Sequence, residues 1–319
     1  GIRDFCLSRG LGDVYKRQIV FMGTPQFAVP ILKKINQKYK INCVFTQPPS
    51  KSNRGQKFTK SPIHTCAEEL KLEIKTPKKI DEEFEYLKEL NLDLVIVVAY
   101  GQLISKKILN LSKKGFLNIH ASLLPKWRGA APIQRSILNN EKKTGISFMK
   151  IDEKLDSGPV CNKYSIDILD QDNAEILSEK LSYLSTEKIL ENVQNVLEGE
   201  AIFKEQDHAK ATYAKKIQKV EGKIDWNNSA RKIIAQINGL YPKPGAWFEL
   251  NNKRYKILKA KINKQSATIG EVIDEQMTIA CGENSINIIE IQKEGKKPQL
   301  IKEFLLGNKV RKGTIITSE

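Results

Sequence analysis

"LDLVIVVAY", residues 92–100, is apolar at almost every position. A strand with one wet face alternates apolar and polar side chains, whereas a strand covered on both faces reads as a continuous apolar run. The stretch therefore predicts a central strand of a parallel sheet. On its N-terminal side lie two shorter apolar runs, "QIVFMG" (18–23) and "INCVFTQP" (41–48), and two helical segments, "SPIHTCAEELK" (61–71) and "DEEFEYLKELN" (81–91). Thr24-Pro25 follows the first run and supplies an N-cap candidate with a Pro at the first helical position. On the C-terminal side "FLNIHAS" (116–122) is the next strand. This alternation predicts an α/β fold with helices on both faces of a parallel sheet, which binds its ligands at the carboxyl ends of strands. Asn118 and His120 lie at such an end.

Further along, "ISFMKID" (146–152) and "VCNKYSIDI" (160–168) read as a pair of strands joined by "EKLDSGP". Asp172 and Glu175 then offer a capping box for a long helix with Leu177, Leu181, Leu184, Val193 and Val196 on one face, ending near Gly199. Residues 200–215 are polar and aperiodic, and read as a linker. Beyond them short strands recur, "AWFEL", "RYKILKAKI", "GEVID", "MTIAC" and "SINIIEIQ", with Asn251-Asn252 as a tight turn. That pattern predicts a small barrel or sandwich.

The chain has 319 residues, 53 of them Lys or Arg against 37 Asp or Glu, a net charge of +16. Such a charge favours a polyanionic partner, although a generally lysine-rich composition gives the same number. Residues 201–319 alone carry 22 basic against 13 acidic residues, a net of +9. The five cysteines are scattered without a CxxC pair, so neither a disulfide framework nor a zinc site is indicated, and a reduced cytoplasmic setting is the simplest expectation. No apolar run reaches transmembrane length. Residues 1–17, "GIRDFCLSRGLGDVYKR", lack an initiator Met, an apolar core and any period; they read as a non-native leader outside the fold. Their "GLGDVY" precedes the first strand and lacks a third glycine, so it is not a dinucleotide fingerprint.

Residues two apart on a strand share a face, so Asn118 and His120 point the same way. A carboxamide beside an imidazole can hold a developing oxyanion; it can equally be the polar cap of a strand end. Asp156, in the strand-joining loop with Gly158, tips the balance toward chemistry, because a carboxylate beside an imidazole orients it and favours its charged form. Asn, His and Asp together suit a tetrahedral acyl intermediate with no protein nucleophile. Ser122 follows closely but lacks a Gly-x-Ser-x-Gly elbow. His64, His120 and His208 are too scattered for a metal site, no HExxH or Walker motif occurs, and Gly23 lacks a GxGxxG continuation.

"VFMGTPQFAVP", "VFTQP", "IVVAYGQLI", "NIHASLLPKWRGAAPIQRSI", "KLDSGPV", "TYAKKIQKVEGKIDW" and "NGLYPKPGAWFEL" occur in this order from Gln18 to near the C-terminus. Together they resemble the methionyl-tRNA formyltransferase family. The Asn-x-His, Ser-Leu-Leu-Pro and Asp-x-Gly set is common to enzymes that use 10-formyltetrahydrofolate, while "WRGAAPIQ" and the C-terminal segments resemble the tRNA-directed members. The resemblance implies a Rossmann-like formyltransferase domain over 18–199, a linker over 200–215, and an OB-like, tRNA-binding β-barrel over 216–319. It implies formyl transfer from 10-formyltetrahydrofolate, without a metal, to the α-amino group of methionine on initiator methionyl-tRNA. It also implies roles for particular residues: Asn118, His120 and Asp156 as catalytic; Ser122, Leu123, Leu124 and Pro125 as folate-contacting; and Arg54, Lys57 and Lys216 as tRNA-contacting. A cytoplasmic monomer without membrane contact is expected. Pro49, Ser50 and Lys51 depart from the acidic and basic residues usual early in the 48–60 loop. Two other readings stay open: an RNA-binding protein that kept the fold without catalysis, and a formyltransferase acting on a free metabolite.

Overall fold

The structure is a computed structural model, and it describes residues 17–52 and 57–317. The elements are, in chain order, β1 (Ile19–Gly23), α1 (Val29–Asn36), β2 (Ile41–Phe45), β3 (Ser50–Ser52), β4 (Lys57–Thr59), α2 (Pro62–Glu69), β5 (Ile74–Lys75), α3 (Phe84–Glu89), β6 (Leu94–Val98), α4 (Lys106–Leu109) and β7 (Phe116–His120). They continue with α5 (Pro132–Leu138), β8 (Lys143–Lys150), β9 (Val160–Asp167), α6 (Ala174–Glu198), α7 (Ala230–Gly239), β10 (Ala246–Leu250), β11 (Lys253–Asn263), β12 (Thr278–Ala280), β13 (Ser285–Lys293), β14 (Gln299–Leu300) and α8 (Ile301–Gly307).

Seven strands form one sheet in the order β5-β2-β1-β6-β7-β8-β9. The pairings from β5 to β7 are parallel. All five residues of β6 are buried, as its unbroken apolar sequence requires. The "ISFMKID" and "VCNKYSIDI" strands pair as expected, and β8 also joins β7 antiparallel, with Asn118 opposite Met149 and His120 opposite Ser147. The sheet is therefore Rossmann-like and mostly parallel, with an antiparallel flank. β8 lies so close to β9 that a Cβ on Gly145 would sit 2.0 Å from the Tyr164 carbonyl oxygen.

The second sheet is antiparallel, β10-β11-β13-β12, with β14 also on β13, and forms a half-barrel. Its core gathers Trp226, Phe248, Tyr255, Ile257, Ile286, Ile288 and Phe304. Register shifts around Lys259 bend β11. Asn251 and Asn252 both take positive φ, 52° and 59°, as the tight turn demands.

Three local expectations are corrected. Thr24 does not cap a helix; its Oγ1 donates to the Tyr100 carbonyl at 2.8 Å, and a 3-10 turn at Gln26–Ala28 comes first. Asp172 accepts from Leu169 N at 3.0 Å, and it is Asn173 whose Oδ1 accepts from Ile176 N, at 2.9 Å, at the start of α6. "GEVID" forms only single bridges, Glu271 with Ile315 and Val272 with Ile279. In each case a short polar side chain or strand found a nearer partner than the pattern suggested.

The chain gathers into two compact units. One takes residues up to Arg128 together with 145–165 and 179–213, and contains the parallel sheet. The other takes 129–144, 166–178 and 214 onward, and contains the half-barrel. Much of the 200–215 segment is fixed to the first unit rather than running free: Lys204 and Val160 exchange backbone hydrogen bonds at 2.9 and 3.0 Å.

Candidate active site

β7 ends at His120, and the loop that follows turns back beneath it. Asn118 and His120 share one face of β7 and are both buried. His120 Nε2 lies 2.9 Å from the Trp127 carbonyl oxygen. A carbonyl can only accept, so this nitrogen carries the proton. The opposite ring nitrogen, Nδ1, faces Asp156 Oδ2 at 3.7 Å. That separation is too long for a direct hydrogen bond and leaves the Nδ1 edge of the imidazole as the one open to chemistry.

The Trp127 carbonyl is aimed by strained backbone. Trp127 adopts φ 62°, a left-handed conformation unusual for a bulky side chain. Its N–H donates to Thr212 Oγ1 at 2.9 Å, and the next N–H, of Arg128, donates to the Thr212 carbonyl at 2.8 Å. Asp156 is also left-handed, at φ 47°. Its loop is tied by Asp152, whose carboxylate accepts from Lys154 N at 3.0 Å and from Ser157 Oγ at 2.8 Å. Only glycine fits at 158, where a Cβ would lie 2.0 Å from the Lys150 carbonyl oxygen.

The Ser-Leu-Leu-Pro turn packs on the same side. Ser122 is fully buried, and its hydroxyl donates to the Lys126 carbonyl at 2.6 Å, so it shapes the turn from within. Ser147 Oγ bridges the turn to β8, donating to the Ser122 carbonyl at 2.7 Å and accepting from Leu124 N at 3.1 Å. Leu124 is buried with Met149 and Val160. Leu123 and Pro125 are partly exposed. Lys163, its pKa lowered by burial, donates to the Leu124 carbonyl.

Of the expected tRNA contacts, Arg54 lies outside the described residues, Lys57 sits in β4, which pairs with β3, and Lys216 is exposed. Residues 1–16 of the expected leader also lie outside the described residues. Sequence reasoning missed Gln206, Thr212 and the role of Arg128. Arg128 is buried and donates to Gln206 Oε1 from Nε at 3.1 Å and from Nη2 at 2.8 Å. His208 Nδ1 also meets Arg128 Nη2, at 3.0 Å. The only signal available beforehand was a buried-type "WRG" beside the histidine; Gln206 sits in a polar stretch that looks like any linker.

Burial pushes the Cys43 and Cys281 thiols up to about 12 and the Cys161 thiol to about 11, so none is a thiolate at neutral pH. Among the described residues no group of three or more His, Cys, Asp or Glu is placed to hold a metal ion, and no helix is long and apolar enough to cross a membrane.

The class of protein follows from comparison with known families. Residues 16–193 match the family described as formyl transferase, and residues 216–309 match its C-terminal domain. The chain is 62% identical over 307 residues to the methionyl-tRNA formyltransferase of Pelagibacter ubique, covering 95% of this chain and 99% of that one. It is 44% identical over 300 residues to the enzyme of the same name from Thermodesulfovibrio yellowstonii, covering 92% and 97%. Among solved structures it resembles an N-formyltransferase from Helicobacter canadensis in complex with folinic acid and dTDP-3-aminofucose, at TM-score 0.68 and 20% identity, covering 87% of this chain and 99% of that one. HypX from Aquifex aeolicus in complex with tetrahydrofolic acid gives TM-score 0.64 at 16% identity, covering 93% of this chain and 50% of that one. At these identities the solved structures speak for the fold. The chain belongs to the formyl transferase family and, within it, to the methionyl-tRNA formyltransferases.

Proposed function

We propose that this chain transfers the formyl group of 10-formyltetrahydrofolate to the α-amino group of methionine on initiator methionyl-tRNA, at a site made by Asn118, His120 and Asp156. The observation that carries the site assignment is the pairing of the His120 Nδ1 edge with Asp156 at 3.7 Å while Nε2 is held by a backbone carbonyl. The amine of the aminoacyl group attacks the formyl carbon, and the carbonyl oxygen gains negative charge. The Asn118 carboxamide N–H and a protonated His120 Nδ1 donate to it. Asp156 orients the imidazole and accepts the proton released by the amine, through water. The carbon–nitrogen bond to the folate then breaks, and the folate nitrogen takes a proton as it leaves. Leu123, Leu124 and Pro125 wall the folate side, with Ser122 holding the turn.

In this reading residues 18–199 are catalytic, 200–215 connect, and 216–319 bind tRNA. Arg54, Lys57 and Lys216 contact the nucleic acid, and the protein acts as a cytoplasmic monomer. The net of +9 in residues 201–319 supports a tRNA rather than a free-metabolite acceptor. The test is an assay with 10-formyltetrahydrofolate and charged initiator tRNA, with free methionine as the control. Formylation of the charged tRNA alone is the expected result; formylation of free methionine at a comparable rate removes the tRNA-directed reading.

A further inference from the structure

We infer that residues 204–213 form a strap that positions both halves of the proposed catalytic pair, and that Gln206 is the positioning residue for Asp156. The inference rests on the assignment of His120 and Asp156 given above. Gln206 is buried, although it lies in a polar stretch. Its Nε2 donates to two carbonyl oxygens of the catalytic loop, Asp156 at 2.9 Å and Gly158 at 2.7 Å. Its Oε1 accepts both Arg128 bonds already described. Arginine has only donors, so the carboxamide can sit in one orientation alone. Arg128 thereby fixes which end of Gln206 meets the loop, and Gln206 uses both of its N–H groups to hold the loop backbone on either side of Ser157.

Further along the same strap, Thr212 holds Trp127 and Arg128, and its own N–H donates to the Pro125 carbonyl at 3.3 Å. Trp127 in turn presents the carbonyl that orients His120. One short segment therefore braces the carboxylate through Gln206 and the imidazole through Thr212. Both braced residues, Trp127 and Asp156, hold left-handed backbone, which for the bulky Trp127 side chain is disfavoured. Such conformations persist only where the surroundings over-determine them, and the strap supplies those bonds.

The test uses the full chain with Gln206→Met, which deletes both donors and the acceptor, and Gln206→Glu, which keeps the volume and a partner for Arg128 but offers no donor to the two carbonyls. Each is compared with Asp156→Asn and with the Asp156→Asn/Gln206→Met double variant. Hydrogen–deuterium exchange across 152–158 is followed in parallel. Either Gln206 variant is expected to lower kcat at least tenfold while KM for the formyl donor and for charged tRNA stays within about twofold, the pattern of a lost positioning contact. Exchange across 152–158 should rise while 116–120 stays protected. The double variant should lose little beyond Asp156→Asn alone, since both changes act through one group. Unchanged exchange across 152–158 in both Gln206 variants overturns the strap, whatever the activity. So do losses that multiply in the double variant. Full activity in Asp156→Asn overturns the catalytic assignment instead, and the exchange measurement still decides the strap.

Discussion

At His120 the two ring nitrogens meet different partners. Nε2 is spent on the Trp127 carbonyl, which leaves Nδ1, beside Asp156, as the edge the proposed mechanism uses. Asn118 has its strand partners but, among the described residues, no side-chain hydrogen bond competing for its carboxamide. Removing either donor from an oxyanion site costs about 100- to 1,000-fold in rate. Asn118→Ala and His120→Ala should each slow formyl transfer to charged tRNA by about that factor, with little change in melting temperature; single-turnover rates under saturating substrate check it. Activity within a few-fold of wild type in either variant removes that residue from the site.

At the scale of elements, two fitted joints can be tested. The 152–158 loop closes on β8 through Gly158, where no side chain has room beside the Lys150 carbonyl. Gly158→Ala should therefore displace the Asp156 loop and abolish most activity, while the remainder of the sheet melts cooperatively; calorimetry together with turnover separates the two. In the second unit Arg135 on α5 forms a bidentate pair with Glu221, at 2.6 and 3.0 Å. This hydrogen bonding holds the Glu221 carboxyl below its usual range. A depressed carboxylate stabilises the fold above its unfolded pKa of about 4.3 and loses that contribution as pH falls through its folded value. Arg135→Ala should cost about 1–2 kcal/mol at pH 7, in the range for charge-assisted, partly exposed pairs. The gap to wild type should narrow as pH falls below the unfolded value of about 4.3 and close once it passes the lower folded value, which denaturant unfolding at several pH values measures.

Over the whole molecule the dominant quantity is charge. A net of +16 predicts that phosphate contacts carry a large share of tRNA binding, each neutralised phosphate contributing about 0.7 to 0.9 to the slope of log affinity against log salt. Affinity for initiator tRNA should fall steeply between low and physiological salt, and salt-independent binding contradicts the electrostatic reading. Arg54→Ala should weaken transfer to tRNA and leave binding of the formyl donor intact, which parallel titrations resolve. Equal loss of donor binding moves Arg54 into the folate pocket.

The sequence determined the elements whose causes are local. The unbroken apolar run of β6 announced a strand covered on both faces, period-two placement put Asn118 and His120 on one face, and the Asn-Asn turn stood out by residue type. It also carried the family, because several ordered motifs survive along the chain. The bonds that need partners far apart in sequence were set by the tertiary structure alone. Nothing in "EKLDSGP" tells that β8 and β9 extend the main sheet and so bring Asp156 beside a histidine 36 residues earlier. Thr24 was expected to cap a helix, and instead the folded chain offered it a closer backbone partner in the Tyr100 carbonyl. Gln206 reads as linker because polar side chains are the mark of exposed segments, and only the arrival of Arg128 and two loop carbonyls around it makes burial of that carboxamide favourable. Local pattern encodes which residues face inward; which buried polar groups satisfy one another depends on contacts that exist only once the chain has closed on itself.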